Sequence, residues 1–137
     1  MMLERGLLAL AIVLVLVAGY SLATRWQLGR VSRQKNPNPI LTALQPGIPA
    51  VIYFWSESCA PCKTVQKPAL EQLQAEMGPD GVQIVAVNAL DQPAVADEWG
   101  VLGLPTTFVV DRSGQPRRVN HGVVRAEHLR EQIEMVG

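Results

Sequence analysis

A run of 19 uncharged residues from Gly6 to Thr24 constrains this chain of 137 residues most strongly. As a helix the run spans about 28 Å, close to the roughly 30 Å hydrocarbon core of a bilayer. It predicts a single membrane anchor within residues 1–24, with Trp26 at the interface. The alternative is a cleaved signal peptide, with Leu7–Ala18 as its apolar core and a small-residue cleavage site at residues 21–23.

The charges are unevenly distributed, although they sum to zero over the chain. Residues 1–35 carry five cations against Glu4 alone, so this segment has a charge of +4 and the remainder −4. A mildly acidic folded part without a basic patch cannot neutralise phosphates, which excludes nucleic acid as a partner. By the positive-inside rule the folded part faces the cytoplasm, because four cations follow the run: Arg25, Arg30, Arg33 and Lys35.

Residues 25–39 are predicted to be a linker to a folded part over residues 40–137. Four prolines block a continuous helix through residues 25–49, although ILTALQ is expected to form a short turn: Pro37, Pro39, Pro46 and Pro49.

In the folded part, apolar β-rich runs alternate with helical patterns. This order predicts an α/β fold in which helices flank one mixed sheet. The predicted strands are Ala50–Trp55, Val82–Val87, Thr106–Val110 and one near 117–121, and the predicted helices cover about 59–77, 93–99 and 125–136.

Both cysteines of the chain lie in Cys59-Ala60-Pro61-Cys62. If a helix begins at Cys59, unpaired backbone N–H groups and the helix dipole favour a thiolate there. Cys59 would then be the attacking thiol. Cys62 lies almost one turn further on the same side, where it can resolve a mixed disulfide formed at Cys59.

Other uses of the cysteine pair are less favoured. A covalent haem needs a histidine after the second cysteine, and that residue is Lys63. Structural zinc usually needs four ligands, and only His121 and His128 remain, both expected at the surface. An inert structural disulfide or two buried thiols remain alternatives. We therefore predict no metal and no cofactor.

The chain contains Phe54-Trp55 shortly before Cys59-Ala60-Pro61-Cys62-Lys63, and Gly100-Val101-Leu102-Gly103-Leu104-Pro105-Thr106 some forty residues later. In these motifs the sequence resembles the thioredoxin family, over about residues 40–137. The resemblance implies a cis bond before Pro105, which would lie against the cysteines where substrate backbone pairs. We expect catalysis at Cys59 and Cys62 and substrate binding at Trp55, Ala60, Pro61, Leu104 and Pro105.

The sequence also departs from thioredoxins proper. Tyr53 stands where they have a buried aspartate, and Ala86 stands where they have its paired lysine. Proton transfer from Cys62 must then use water or another group, so we expect slower resolution and a shifted potential. The helix proline, Pro68, lies one residue further from Cys62 than usual. These differences, and the Ala-Pro dipeptide, resemble the membrane-tethered thioredoxin-like proteins of bacteria.

The sequence thus predicts a membrane-tethered thiol–disulfide oxidoreductase, held in the membrane through residues 6–24. Its partners would be protein thiols and disulfides and an unidentified electron donor, and we expect it to act as a reductant. The alternative is a redox-silent interaction module of a membrane complex. The resemblance to membrane-tethered thioredoxin-like proteins implies a domain outside the cytoplasm, whereas the positive-inside rule places it inside.

Overall fold

The structure is a computed structural model that describes residues 1–32 and 39–137. Its first helix, α1 (Met2–Ser32), is predominantly apolar. The segment Met2–Gly29 is long and apolar enough to cross a membrane, a test that a signal sequence also passes.

Helix α1 continues eight residues beyond Thr24, where the predicted anchor ends. No proline occurs between Trp26 and Ser32, so the backbone can stay helical there. The predicted linker is therefore helical over residues 25–32, whereas residues 33–38, with Pro37, lie outside the described residues. A one-turn helix, α2 (Pro39–Thr42), then falls where ILTALQ predicts a turn.

The folded part contains a four-stranded mixed sheet, as the alternation of segments predicts. Its strands are β1 (Ala50–Trp55), β2 (Gln83–Asn88), β3 (Thr106–Val110) and β4 (Pro116–His121), in the order β2-β1-β3-β4. Strands β1 and β2 are parallel, and the other two pairs are antiparallel. The bounds of β1 and β3 match the prediction, and β2 is displaced by one residue.

Helices cover both faces of the sheet. They are α3 (Lys67–Met77), which follows one π-helical turn over Cys62–Gln66, α4 (Pro93–Glu98) and α5 (Ala126–Val136). The helical stretch 60–77, which includes the π-helical turn, and helices α4 and α5 each fall within about one residue of the predicted helical segments.

Strand β1 is buried on both faces, because alternate residues point to opposite sides of a sheet. Val51 and Tyr53 belong to one core cluster, whose other members include Leu73, Leu129 and Ile133 from α3 and α5. Ile52 and Phe54 belong to the second cluster, with Trp99 and Phe108. Burial of each large apolar side chain stabilises the fold by roughly 1.5–3 kcal/mol.

The end of α1 packs on the folded part. The Gln27 side-chain amide donates hydrogen bonds to the carbonyls of Trp99 (3.0 Å) and Gly100 (2.8 Å). Leu28 packs against the second core cluster, and the Tyr20 ring meets the His121 ring edge to face at 6.4 Å. The helix therefore holds the domain at several points.

Candidate active site

The two cysteines lie at the start of a helical stretch that follows β1, and they form a disulfide. The Cys59 N–H donates to the Ser56 carbonyl (3.2 Å), which closes the turn after β1. Cys59 is half-buried, whereas Cys62 is fully buried. The Cys62 N–H donates to Cys59 Sγ at 3.2 Å. A backbone donor therefore faces the more accessible sulfur, and such a donor stabilises a thiolate.

The helix after the cysteines begins with a π-helical turn. The Lys67 N–H donates to the Cys62 carbonyl, five residues back instead of the four of an α-helix. A π-turn contains one more residue than an α-helical turn, and such turns occur frequently at functional sites. This extra residue explains why Pro68 lies one position further from Cys62 than the family pattern leads one to expect.

Tyr53 and Ala86 lie directly opposite each other on β1 and β2. The Tyr53 hydroxyl donates to the Cys62 carbonyl at 2.7 Å. Burial raises the pKa of Tyr53 to about 12, so at neutral pH this side chain donates a hydrogen bond and does not act as a base. The two positions at which thioredoxins proper carry an aspartate and a lysine are thus neighbours here, and both are occupied by neutral residues.

A cavity of about 500 Å³ opens beside this pair and extends to Cys62. It is large enough for several water molecules, since each occupies about 30 Å³ in the liquid. Lys63, which the sequence places beside the cysteines, pairs with Glu57 at 2.7 Å, and both side chains are largely exposed. This pair contributes little to stability. The charged residues that line the cavity are Glu57, Lys63, Lys67 and Glu71.

The Leu104–Pro105 bond is cis, as the resemblance implies. Thr106 pairs with Phe54, so Pro105 comes at the end of β3 that lies beside the end of β1. The Gly122 N–H donates to the Pro105 carbonyl at 2.9 Å. This bond ties the loop before β3 to the segment that follows β4.

The expected substrate-binding residues lie on different elements. Ala60 and Pro61 are exposed in the first helical turn. Trp55 is half-buried and lines the cavity on the side of β2. Leu104 is half-buried and packs against both core clusters, and Pro105 is buried on the side of β3. The cavity lined by Trp55 and the loop that contains Leu104 and Pro105 therefore lie on opposite sides of the end of β1.

Gln66 is a residue that the sequence reasoning missed. It is fully buried at the end of the π-helical turn. Its amide donates to the Val124 carbonyl (3.0 Å) and accepts from the Val124 N–H (2.9 Å). A glutamine spaced four residues from Cys62 and from Leu70, both buried, was the available signal.

Both histidines lie at the surface, as the sequence predicts. His121 and His128 are both exposed. Across residues 1–32 and 39–137, no three His, Cys, Asp or Glu side chains form a group that could hold a metal ion.

Comparison with known proteins gives matches to the folded part. The sequence model of the thioredoxin family matches residues 38–135. The thioredoxin of Bacillus subtilis is 34% identical over 80 residues, 58% of this chain and 74% of that protein. Thiol-disulfide oxidoreductase ResA of Geobacillus thermodenitrificans is 28% identical over 105 residues, which cover 61% of this chain and 60% of ResA. The oxidized mitochondrial thioredoxin 3 of Saccharomyces cerevisiae superposes with a TM-score of 0.57 and 28% identity, over 66% of this chain and 80% of that one.

Proposed function

Because the chain belongs to the thioredoxin family, we propose that it is a membrane-tethered thiol–disulfide oxidoreductase that reduces disulfides in protein substrates. Its relatives include thioredoxins and a thiol-disulfide oxidoreductase, and its cysteine pair supports a disulfide oxidoreductase. The observation that carries the proposal is the Cys62 N–H aimed at the half-buried sulfur of Cys59.

In the proposed reaction the reduced protein begins with two thiols. The Cys59 thiolate attacks a substrate disulfide, forming a mixed disulfide and releasing one substrate sulfur as a thiolate. Cys62 then loses its proton and attacks Cys59 Sγ, which releases the second substrate thiol. Two electrons have passed to the substrate, and the protein is left with the Cys59–Cys62 disulfide. A dithiol donor must reduce this disulfide before the next turnover.

The proton of Cys62 leaves by a route without a buried carboxylate. Tyr53 stays protonated at neutral pH, and Ala86 cannot titrate. The cavity beside Cys62 is large enough for water, so water carries the proton toward the exposed charged groups at its rim. This route is the physical reason to expect slower resolution than with a nearby carboxylate.

Substrate binding is assigned to the groups on both sides of the disulfide. Trp55 offers an apolar surface, Ala60 and Pro61 flank the attacking sulfur, and the main chain of Leu104, held in place by the cis bond to Pro105, is available to an extended segment. Extended peptides gain affinity by pairing with exposed backbone in this way.

The tether is assigned to α1. Its apolar part matches the thickness of a bilayer. Since Gln27 holds the domain at Trp99 and Gly100, the active site would lie close to the membrane surface at a fixed orientation. The flanking cations favour a cytoplasmic domain by the positive-inside rule. Impermeant maleimide applied to intact cells tests this side, because rapid labelling of the reduced pair would contradict it.

Trapping of mixed disulfides tests the chemistry. We expect Cys62→Ser to accumulate a mixed disulfide with substrate, because the resolving thiol is absent, and Cys59→Ser to accumulate none. Wild type should reduce a protein disulfide with a dithiol donor present. If neither serine variant traps substrate and wild type shows no turnover, the proposal fails. Unchanged assembly of the double serine variant into a complex would then support the interaction module instead.

A further inference from the structure

Gln66 makes a two-bond contact with a residue 58 positions away in the sequence. The amide nitrogen of its fully buried side chain donates to the Val124 carbonyl at 3.0 Å, and its amide oxygen accepts from the Val124 N–H at 2.9 Å. Both main-chain groups of Val124 are therefore held by one side chain. The arrangement resembles the exchange of bonds between paired residues of antiparallel strands.

This contact connects the turn that holds the cysteines to the segment that contacts Pro105. Gln66 ends the π-helical turn that begins at Cys62. Val124 lies two residues after Gly122, whose N–H donates to the Pro105 carbonyl at 2.9 Å. A continuous path of covalent and hydrogen bonds thus runs from Cys62 through Gln66, Val124 and Gly122 to Pro105.

Core packing alone does not require glutamine at this position. Burial of an amide is unfavourable unless its hydrogen bonds are made, and an apolar side chain of similar size would fill the same space. The buried main-chain groups of Val124 also need partners. Because one amide meets both requirements, Gln66 fixes where the segment after β4 lies relative to the cysteine turn.

We propose that Gln66 is a positioning residue that fixes the Pro105–Gly122 contact relative to the cysteine turn. This inference rests on the proposed function, which assigns substrate binding to both segments. When the two segments are already fixed, an extended stretch around a substrate cysteine binds without first ordering them, which lowers the entropic cost of binding. Gln66 touches neither substrate nor the reacting sulfurs, so it acts on KM and leaves the chemical step unchanged.

The test compares Gln66→Met with wild type in the full chain in detergent micelles. Methionine keeps the length of the side chain but makes neither bond to Val124. We expect KM for an oxidised protein substrate to rise about tenfold, because the segment that Gln66 no longer holds must be ordered when substrate binds. We expect kcat, and the alkylation rate of reduced Cys59 by iodoacetamide, to stay within about twofold of wild type. Gln72→Met is the matched control, since Gln72 is exposed on α3 and bonds Glu76, and its KM should not change.

A second variant gives a readout that a merely structural role would not produce. In Gln66→Glu, a protonated carboxyl can donate to the Val124 carbonyl and accept from its N–H, as the amide does. An ionised carboxylate can only accept hydrogen bonds, so its negative charge would be repelled by the Val124 carbonyl oxygen. We expect the KM ratio of this variant to wild type to lie near one at pH 5 and to rise about tenfold or more by pH 8. Groups that titrate or carry charge nearby, Lys67, His121, Arg125, Glu127 and His128, are present in both proteins, so the ratio cancels their direct effects.

The outcomes separate this inference from the proposed function. If wild type turns over but KM is unchanged in Gln66→Met, or KM and the alkylation rate change together, the assignment of Gln66 is overturned alone. A KM ratio for Gln66→Glu that does not vary with pH overturns it too, and this measurement decides the matter if Gln66→Met does not fold. If wild type shows no turnover and Cys62→Ser traps no mixed disulfide, both proposals fail.

Discussion

Replacement of Tyr53 by aspartate should accelerate the resolution step, and the structure allows the size of the effect to be worked out. Tyr53 is 5% exposed, and its hydroxyl lies 2.7 Å from the Cys62 carbonyl. A carboxylate there would lie near Cys62 with Ala86, not a lysine, on the opposite strand. Because aspartate is shorter than tyrosine, its carboxylate would lie in the space that the ring leaves, with a pKa raised by burial, and would accept the thiol proton through water.

An ordinary cysteine thiol, with a pKa of about 8.5, is about 3% thiolate at pH 7. Full ionisation would raise the amount of attacking thiolate roughly 30-fold, so we expect Tyr53→Asp to accelerate resolution between about 10-fold and 30-fold at pH 7. The gain should grow as pH rises through the pKa of the new carboxyl, because only its ionised form accepts a proton.

The matched control is Tyr53→Asn, which has nearly the same size as aspartate but cannot titrate. Both variants lose the tyrosine ring and its hydrogen bond to Cys62, so both should lose about 3–5 kcal/mol of stability. Stopped-flow measurement of mixed-disulfide decay, with wild type alongside, gives the rate of resolution. Equal rates in the aspartate and asparagine variants at all pH values would refute the reasoning that proton removal limits this step.

Two further predictions concern stability, measured by urea unfolding of the full chain in micelles. Burial alone would raise the pKa of Asp111, but hydrogen bonds from Ser113, Arg117 and Gln115 lower it to about 2. Asp111→Asn should therefore lower the free energy of unfolding by about 2 kcal/mol at pH 7. Because a lowered pKa stabilises the fold above the ordinary value near 3.9, the cost should fade as pH drops toward 2; a cost independent of pH would contradict this. Gln27→Leu should lower the free energy of unfolding of the domain by about 1 kcal/mol, whereas Gln72→Leu should not; equal effects would argue against docking of α1.

Local patterns identified most elements because their signals lie within a few residues. The β-rich run Ala50–Trp55 and the segment Thr106–Val110 became strands with the predicted bounds. The paired positions of Tyr53 and Ala86 were also found by counting along the family pattern, and they lie opposite each other. The end of α1 was not found, because residues 25–32 carry charges typical of a surface but no residue that stops a helix.

The sequence by itself determined the apolar run, the alternation of strands and helices, and the spacing that sets Cys59 beside Cys62. Each depends on periodicity or on neighbours within one helical turn. Only the tertiary structure decided that the Tyr53 hydroxyl bonds the Cys62 carbonyl, that Gln66 holds Val124, and that Gln27 holds Gly100. The last two contacts join residues 58 and 73 positions apart, and no local pattern records which distant main-chain group a polar side chain will meet once the core has formed.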